Sequence, residues 1–420
     1  MSAVATAGLS PSRHALANGA VLITEHTKTH PAVTIYATLE AGSRFDPDES
    51  LGLANFVARV IDRGTESRSP DEIAEALDGW GVSLTTGVTR HLLSLSCTCL
   101  SEDVESVLLL VADMIRRPSF PAGQVEKRRS AIVTAIRQDQ DNPAAVAMEG
   151  LMAQLYPNGH PYGRAARGTL ATVERISRDD LVGFHRQRAV PAGLCLVVVG
   201  DVEPSRIRDL ADRVFGDWPG ENAMAAPPPH VSRASERNEV RHLVPGKPQA
   251  DLAYGFTTIT RGDPRYYALS LMNNVLGQYA LGGRLGDNIR ERQGMAYYVF
   301  SSFDANVAQG PLVVRAGVNP ANVDRTLAAI DEEIGKMGRE GVSAVELADS
   351  CRYLVGSMPR VLETNAGIAS FLHTAEYFGL GLDFDRRLPA LFEQVTLDEV
   401  NAVAAEFLVP GAASVSVAGP

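Results

Sequence analysis

The 420-residue chain is 45% hydrophobic and 21% charged, and its acidic side chains outnumber the basic ones 50 to 39, for a net charge of −11. That composition belongs to a globular protein with room for two or more cores, and the sign of its charge argues against gripping nucleic-acid phosphates through the overall field. No run approaches the ~20 consecutive apolar residues of a membrane span, so a soluble chain is expected, and Met1 to Ser12 shows no basic-then-apolar leader.

In chain order, Val21 to Thr24 and Val33 to Thr38 read as strands, which places His26 and His30 in the turn between them. Thr89 to Leu100 alternates as a half-buried strand, with Cys97 and Cys99 on one face as small apolar residues. An amphipathic helix follows at Val104 to Arg116. Near residue 176 comes Ile176-Ser-Arg-Asp-Asp-Leu181, a helix capped by Ser177 with acids in its first turn. After it come Pro191, an apolar run from Leu194 to Val199, and Gly200. The stretch 219–239, with Pro227-Pro-Pro229 and no hydrophobic period, reads as a linker.

Beyond it the pattern returns. Ala296 to Phe303 reads as a strand, and Val323 to Met337 as an amphipathic helix with Val323, Leu327, Ile330 and Ile334 on one face. Val395-Thr-Leu-Asp-Glu-Val400 repeats the capped helix with Thr396 at its start, followed by Pro410, Val415, Val417 and Gly419. Ile176, Pro191 and Gly200 each find their counterpart 219 positions later. Strands mixed with helices and lacking regular βαβ alternation indicate α+β halves, with helices packed on one face of each sheet. The expected organisation is therefore a tandem duplication: residues 1–218, a linker at 219–239, and residues 240–420.

The residues alone show no catalytic centre. His26 and His30 have the spacing of helical zinc ligands but sit between strands. His373-x-x-Glu376 is followed by Tyr377, and four cysteines complete no zinc site. No nucleophile elbow, phosphate loop or dinucleotide fingerprint is present, and Gly277, Gly282 and Gly283 read as a loop before a helix that begins near Leu281.

An ordered set of short stretches nevertheless resembles the pitrilysin/insulinase family of zinc peptidases, in its mitochondrial-processing-peptidase-like branch. The pieces in the first half are Leu16-Ala-Asn-Gly19, Glu40-Ala-Gly-Ser-Arg44, Leu51-Gly-Leu-Ala-Asn-Phe-Val-Ala-Arg59, Gly159-His-Pro-Tyr-Gly163, Gly168-Thr169 and Asp179-Asp-Leu-Val-Gly-Phe-His185. The second half adds Gly246-Lys-Pro-Gln249, Arg284-Leu285 and Ile289-Arg-Glu-Arg-Gln-Gly-Met-Ala-Tyr297.

The resemblance implies two homologous α/β-sandwich domains and a zinc motif His-x-x-Glu-His with a third ligand, a Glu, further along. In this sequence those positions hold Asn55, Ala58, Arg59 and Ala135. None is a suitable ligand or base, and Arg59 sets a permanent positive charge where a cation would sit. Arg128 also stands where the family usually has an acid. An Arg and a Tyr seven positions apart, which in the family reach over the zinc from the second domain, are kept as Arg290 and Tyr297.

The resemblance therefore implies a non-catalytic subunit of a bacterial heterodimeric zinc metalloendopeptidase, inactive alone. It would bind no zinc itself and would lend Arg290 and Tyr297 to a homologous partner that carries His-x-x-Glu-His. Extended peptides are the expected substrates, and the net negative charge is compatible with basic ones. The alternatives are a scaffold protein like the peptidase-derived core subunits of the respiratory cytochrome bc complex, or a homodimeric peptide-binding module without proteolysis. The expected compartment is the cytoplasm, or the periplasm where a leader has been removed.

Overall fold

The computed structural model describes residues 8–220, 226–279 and 282–420. Part of the proline-rich stretch, the residues around Leu281 and most of Met1 to Ser12 thus lie outside the described residues.

Among the described residues eleven strands form two sheets. The first takes β1 (Ser12–Ala15), β2 (Val21–His26), β3 (Ala32–Leu39), β4 (Thr85–Val88), β5 (Leu93–Leu100) and β6 (Leu194–Gly200), in the order β1-β2-β6-β3-β5-β4. The second takes β7 (Asn238–Leu243), β8 (Ala250–Thr257), β9 (Ala296–Phe303), β10 (Pro311–Val318) and β11 (Ser414–Gly419), in the order β7-β11-β8-β10-β9. In each sheet an early strand runs parallel to the last one, β2 to β6 and β7 to β11, and the remaining pairs are antiparallel. Apart from the added edge strand β1, the two sheets share one strand order, which is the physical form of the 219-residue repeat.

The capped helices are present as Arg178–Arg188 and Leu397–Phe407. Ser177 and Thr396 each accept from the third helical N–H, while Asp180 and Glu399 reach back to the cap residue's own N–H. Pro191 and Pro410 both open a single 3₁₀ turn that feeds the buried strand behind it.

The counterpart of β5 in the second sheet is β10, and β9, the strand expected at Ala296 to Phe303, is the counterpart of β4, as the two sheet orders show. Nearly every residue of β10 is buried, so it carries no period of two to read. The stretch 219–239 also does more than link. Asn238 and Glu239 already belong to β7, and Val231 is buried in an apolar cluster with its N–H donated to Gln309. His160 bonds the carbonyl of Pro229.

Two compact units result. Of the described residues, one holds those within 8–136, 165–220 and 358–386, and the other those within 137–164, 226–279, 282–357 and 387–420. Each unit thus includes a helical segment from the other half of the sequence, which a division at 219–239 does not show. The reason lies in the two faces of each sheet.

In β2 and β6, Leu22, Leu196 and Val198 join the main core, while Ile23, Val197 and Val199 point the other way. That second face is covered by Ile368, Ala369 and Leu372 of helix Asn365–Tyr377. In the second unit, Ala253 and Val313 are likewise covered by Ala147, Leu151 and Leu155 of helix Pro143–Leu155. Both sheets are therefore covered on both faces, not on one as the strand pattern indicates. At roughly 1.5–3 kcal/mol for each large side chain buried, these helices belong to the fold of the unit they cover.

Candidate functional site

Arg290 lies near the end of the π-helical segment Gly286–Arg292, and Tyr297 is the second residue of β9. Leu285 and Ile289 are fully buried, so the segment is anchored on its inner side and Arg290 is left exposed. Gly294, at φ +61°, turns the chain between them. Two backbone bonds close this turn, from the Gly294 N–H to the Arg290 carbonyl and from the Met295 N–H to the Ile289 carbonyl, at 3.2 and 3.1 Å. Positions 290 and 297 are thereby held at the same end of β9.

Tyr297 is also singled out by the sheet. Tyr298 pairs with Gly317 and Ala296 with Val318, so the register steps over Tyr297, which is the extra residue of a bulge. Bulges re-aim side chains at functional rims, and Tyr297 is 61% exposed, unusual for a tyrosine in a strand. The next residue, Tyr298, is half-buried, and its hydroxyl donates to the carboxylate of Asp251.

Among the described residues the one ion pair of Arg290 is with Glu291, at a loose 3.7 Å from its Nε, which leaves its planar fork open. A guanidinium and a phenol at the same end of a strand are donors that can hold carbonyl oxygens and stabilise negative charge growing on one of them. They contain no nucleophile and no base. β9 is moreover the edge strand of its sheet, with ladder bonds on one side only, which suits pairing with an extended chain.

Just upstream, Arg284 makes a two-pronged ion pair with Glu346 at 2.7 and 2.8 Å and also donates to the Gly341 carbonyl. Its hydrogen bonds, with help from Ser343, pull the Glu346 carboxyl down to about 2.

The metal positions lie in the other unit. Helix Leu53–Val60 starts where Asp46 accepts the N–H groups of Gly52 and Ala54, both at 2.8 Å. Gly52 and Gly168, both at positive φ, pack backbone against backbone, which accounts for the Gly52 and Gly168-Thr169 pieces of the sequence pattern.

On that helix Asn55 and Ala58 are buried at 6% and 2% exposure, while Arg59 is exposed. Ala135 is half-buried on helix Ala122–Gln140. Two methyls, an amide and a guanidinium do not fit a zinc ion.

Three basic groups gather there. Arg63 pairs with Asp62 at 3.1 Å, and the Arg128 guanidinium is pushed down first by burial and then by the nearby charges of Arg63 and Arg59. Burial pushes the Asp62 carboxyl up, against the pull of Arg63 and Arg128. Among the described residues no group of three or more His, Cys, Asp and Glu side chains is placed to hold a metal.

The other candidates have structural settings. His26 ends β2 and bonds the Val202 carbonyl, and His30 is exposed in the following turn. His373 is buried against Thr38 at 2.8 Å, and burial holds its imidazole down at about 4; His91 is held at about 3 by burial and two arginines. The thiols of Cys97 and Cys195 are pushed up to about 12 by burial, which makes them unreactive.

The bulge at Tyr297 and the basic cluster were not read from the sequence. The Arg59/Arg63 spacing of four, with Arg128 beside Arg129, was the one signal for the cluster.

Comparison with known proteins agrees along nearly the whole chain. Residues 21–169 match the description "Insulinase (Peptidase family M16)", and residues 175–354 match "Peptidase M16 inactive domain". A Bacillus subtilis relative, called an uncharacterized zinc protease, is 26% identical over 93% of this chain and 94% of its own length. A Helicobacter pylori relative, called a non-peptidase homolog, is 25% identical over 90% of this chain and 87% of its own. Among solved structures, a peptidase M16 inactive domain from Pseudomonas fluorescens superposes with a TM-score of 0.91 at 24% identity, covering 98% of both chains. A Helicobacter pylori protease gives 0.89 at 16% identity, over 98% of this chain and 100% of its own. No helix among the described residues is long and apolar enough to cross a membrane.

Proposed function

The chain belongs to the M16 (insulinase) peptidase family, as an inactive-type member, and from this premise we propose that it is the non-catalytic subunit of a two-subunit zinc peptidase. The observation that carries the reading is the contrast between its two ends of chemistry. The metal positions are Asn55, Ala58, Arg59 and Ala135, while Arg290 and Tyr297 stand exposed at one end of an edge strand.

In this reading the zinc is in a homologous partner carrying His-x-x-Glu-His, where it supplies a Lewis acid and an activated water. This chain's own part is binding and charge stabilisation. An extended peptide pairs with the free edge of β9. The Arg290 fork takes a backbone carbonyl of that peptide, and the Tyr297 hydroxyl donates to the oxygen on which negative charge grows. Neither residue needs to move a proton off the substrate, so both work as fixed donors. The cytoplasm is the compartment proposed.

Co-purification with a family member that has His-x-x-Glu-His, followed by a quenched-peptide assay, tests the reading. The expected result is activity in the mixture and none from this chain alone. Chelator-sensitive activity from this chain by itself would overturn it.

The name of the Helicobacter pylori relative, a non-peptidase homolog, favours a second reading, a peptide-binding module without proteolysis. Peptide binding with no hydrolysis in any pairing selects that one.

A further inference from the structure

The metal positions of this chain hold an unbalanced positive cluster. Arg59 and Arg63 are four positions apart at the C-terminal end of helix Leu53–Val60. The chain keeps turning past that end, with the Ile61 N–H bonded to Val57 and the Arg63 N–H to Val60, so both guanidinia leave from one face. Arg128 comes from helix Ala122–Gln140, which is laid against this helix by its next residue, Arg129, whose guanidinium sits 5.2 Å from the Phe56 ring centroid. Arg129 is already occupied, by Glu126 and by the Val173 carbonyl.

Arg128 forms no ion pair among the described residues, nor does Arg59. Among the described residues Asp62 supplies the one carboxylate in contact with the cluster, through Arg63 at 3.1 Å. Three guanidinia against one carboxylate leave an excess of two positive charges. Three buried polar atoms there also lack a hydrogen-bond partner: Arg63 Nε, Arg128 Nε and Asp62 Oδ1.

Arginine cannot relieve such crowding by losing a proton. A bound oxyanion relieves it, and planar forks match a carboxylate with paired hydrogen bonds. The cluster is open to solvent, since Arg59 is exposed and the Arg63 side chain is 39% exposed.

We infer that Arg59, Arg63 and Arg128 form a binding site for a peptide carboxylate, at the end of the chain or on an acidic side chain. The inference rests on the peptide-binding reading above and adds a chemical preference to it. The local charge here is opposite to the net charge of the protein, so the site selects acidic peptide ends even though the overall field favours basic chains.

The test uses the full-length chain and fluorescein-labelled unfolded peptides in three forms: free C-terminal acid, C-terminal amide, and amide with a terminal Glu. Fluorescence anisotropy at low salt reads the affinities of wild type, of Arg59→Gln/Arg128→Gln, and of Arg290→Ala. The acid form, the Glu-amide form or both are expected to bind about tenfold more tightly than the plain amide, as charge-assisted pairing implies. That preference is expected to vanish in Arg59→Gln/Arg128→Gln and to shrink as salt rises.

Equal binding of all three forms to wild type, with Arg290→Ala weakening each, overturns the carboxylate site and leaves the peptide reading standing. A preference that survives in the double variant overturns it too. Displacement of all three forms alike by inorganic phosphate marks a free-oxyanion site and overturns the peptide assignment. No binding of any form removes both readings. A thermal midpoint for the double variant within a few degrees of wild type shows that lost preference is not lost fold.

Discussion

His373 makes the stability of the first unit sensitive to mild acid. It is 6% exposed on helix Asn365–Tyr377, bonded to the Thr38 hydroxyl at 2.8 Å and set edge-on to Tyr36 at 5.2 Å. Burial lowers its pKa from 6.5 to about 4, and the nearby Glu376 offsets only part of that. Between these values the unfolded chain carries a proton on the imidazole and the folded chain does not. Stability from this group is therefore full above 6.5, falls as the pH drops below it, and is lost once the pH passes the folded value near 4.

Worked through for one site, the loss between pH 7 and pH 5 is about 2 kcal/mol, approaching roughly 3 kcal/mol below pH 4. His373→Gln removes the titration while keeping a polar partner for Thr38. Both tryptophans, Trp80 and Trp218, belong to the same compact unit as His373, so their fluorescence in urea reports on it. Wild type is expected to lose about 2 kcal/mol more than His373→Gln between the two pH values. The other buried histidines are common to both proteins and cancel. Equal losses in the two would show that His373 is not buried neutral, and the reasoning would fail.

Other outcomes are equally specific. Tyr297→Phe and Arg290→Ala, both at exposed positions, are expected to leave the thermal midpoint unchanged. In the proposed two-subunit peptidase, Tyr297→Phe is expected to lower kcat roughly 100- to 1000-fold, the range for losing one oxyanion donor, and Arg290→Ala to raise KM by removing a peptide-carbonyl contact. Gly168→Ala places a methyl against the Leu51 carbonyl at a φ of +79°, and is expected to cost at least ~2 kcal/mol in urea unfolding. Arg284→Met frees the Glu346 carboxyl, so a pH titration followed by NMR should show that group rising from about 2 toward its ordinary 4.5. The stability the pair contributes is present above 4.5 and lost as the pH falls toward 2.

Much of the fold was legible because local chemistry repeats. The capping boxes at Ser177 and Thr396, the prolines at 191 and 410 and the buried strands behind them need only neighbouring residues, and they stand where the spacing puts them. β10 was missed because burial on both faces erases the alternation by which a strand is read. The roles of helices Pro143–Leu155 and Asn365–Tyr377 were missed because apolar residues on a helix say that a face is buried, not against which sheet.

The site divides the same way. That Asn55, Ala58, Arg59 and Ala135 are poor zinc ligands is a matter of side-chain chemistry read from the sequence, and the resemblance is what sets them at the ligand positions. The choice of Arg290 and Tyr297 as a pair also came from the sequence, through resemblance. What only the tertiary structure decided is their presentation: the Gly294 turn that holds them together, the bulge that pushes Tyr297 outward and the free edge of β9 beside it. The gathering of Arg128 with Arg59 and Arg63 was likewise invisible in one dimension, because their charges meet only when two helices distant in sequence pack together. Identity of a side chain is local, but register, edges and the summing of charge depend on which distant residues share a surface.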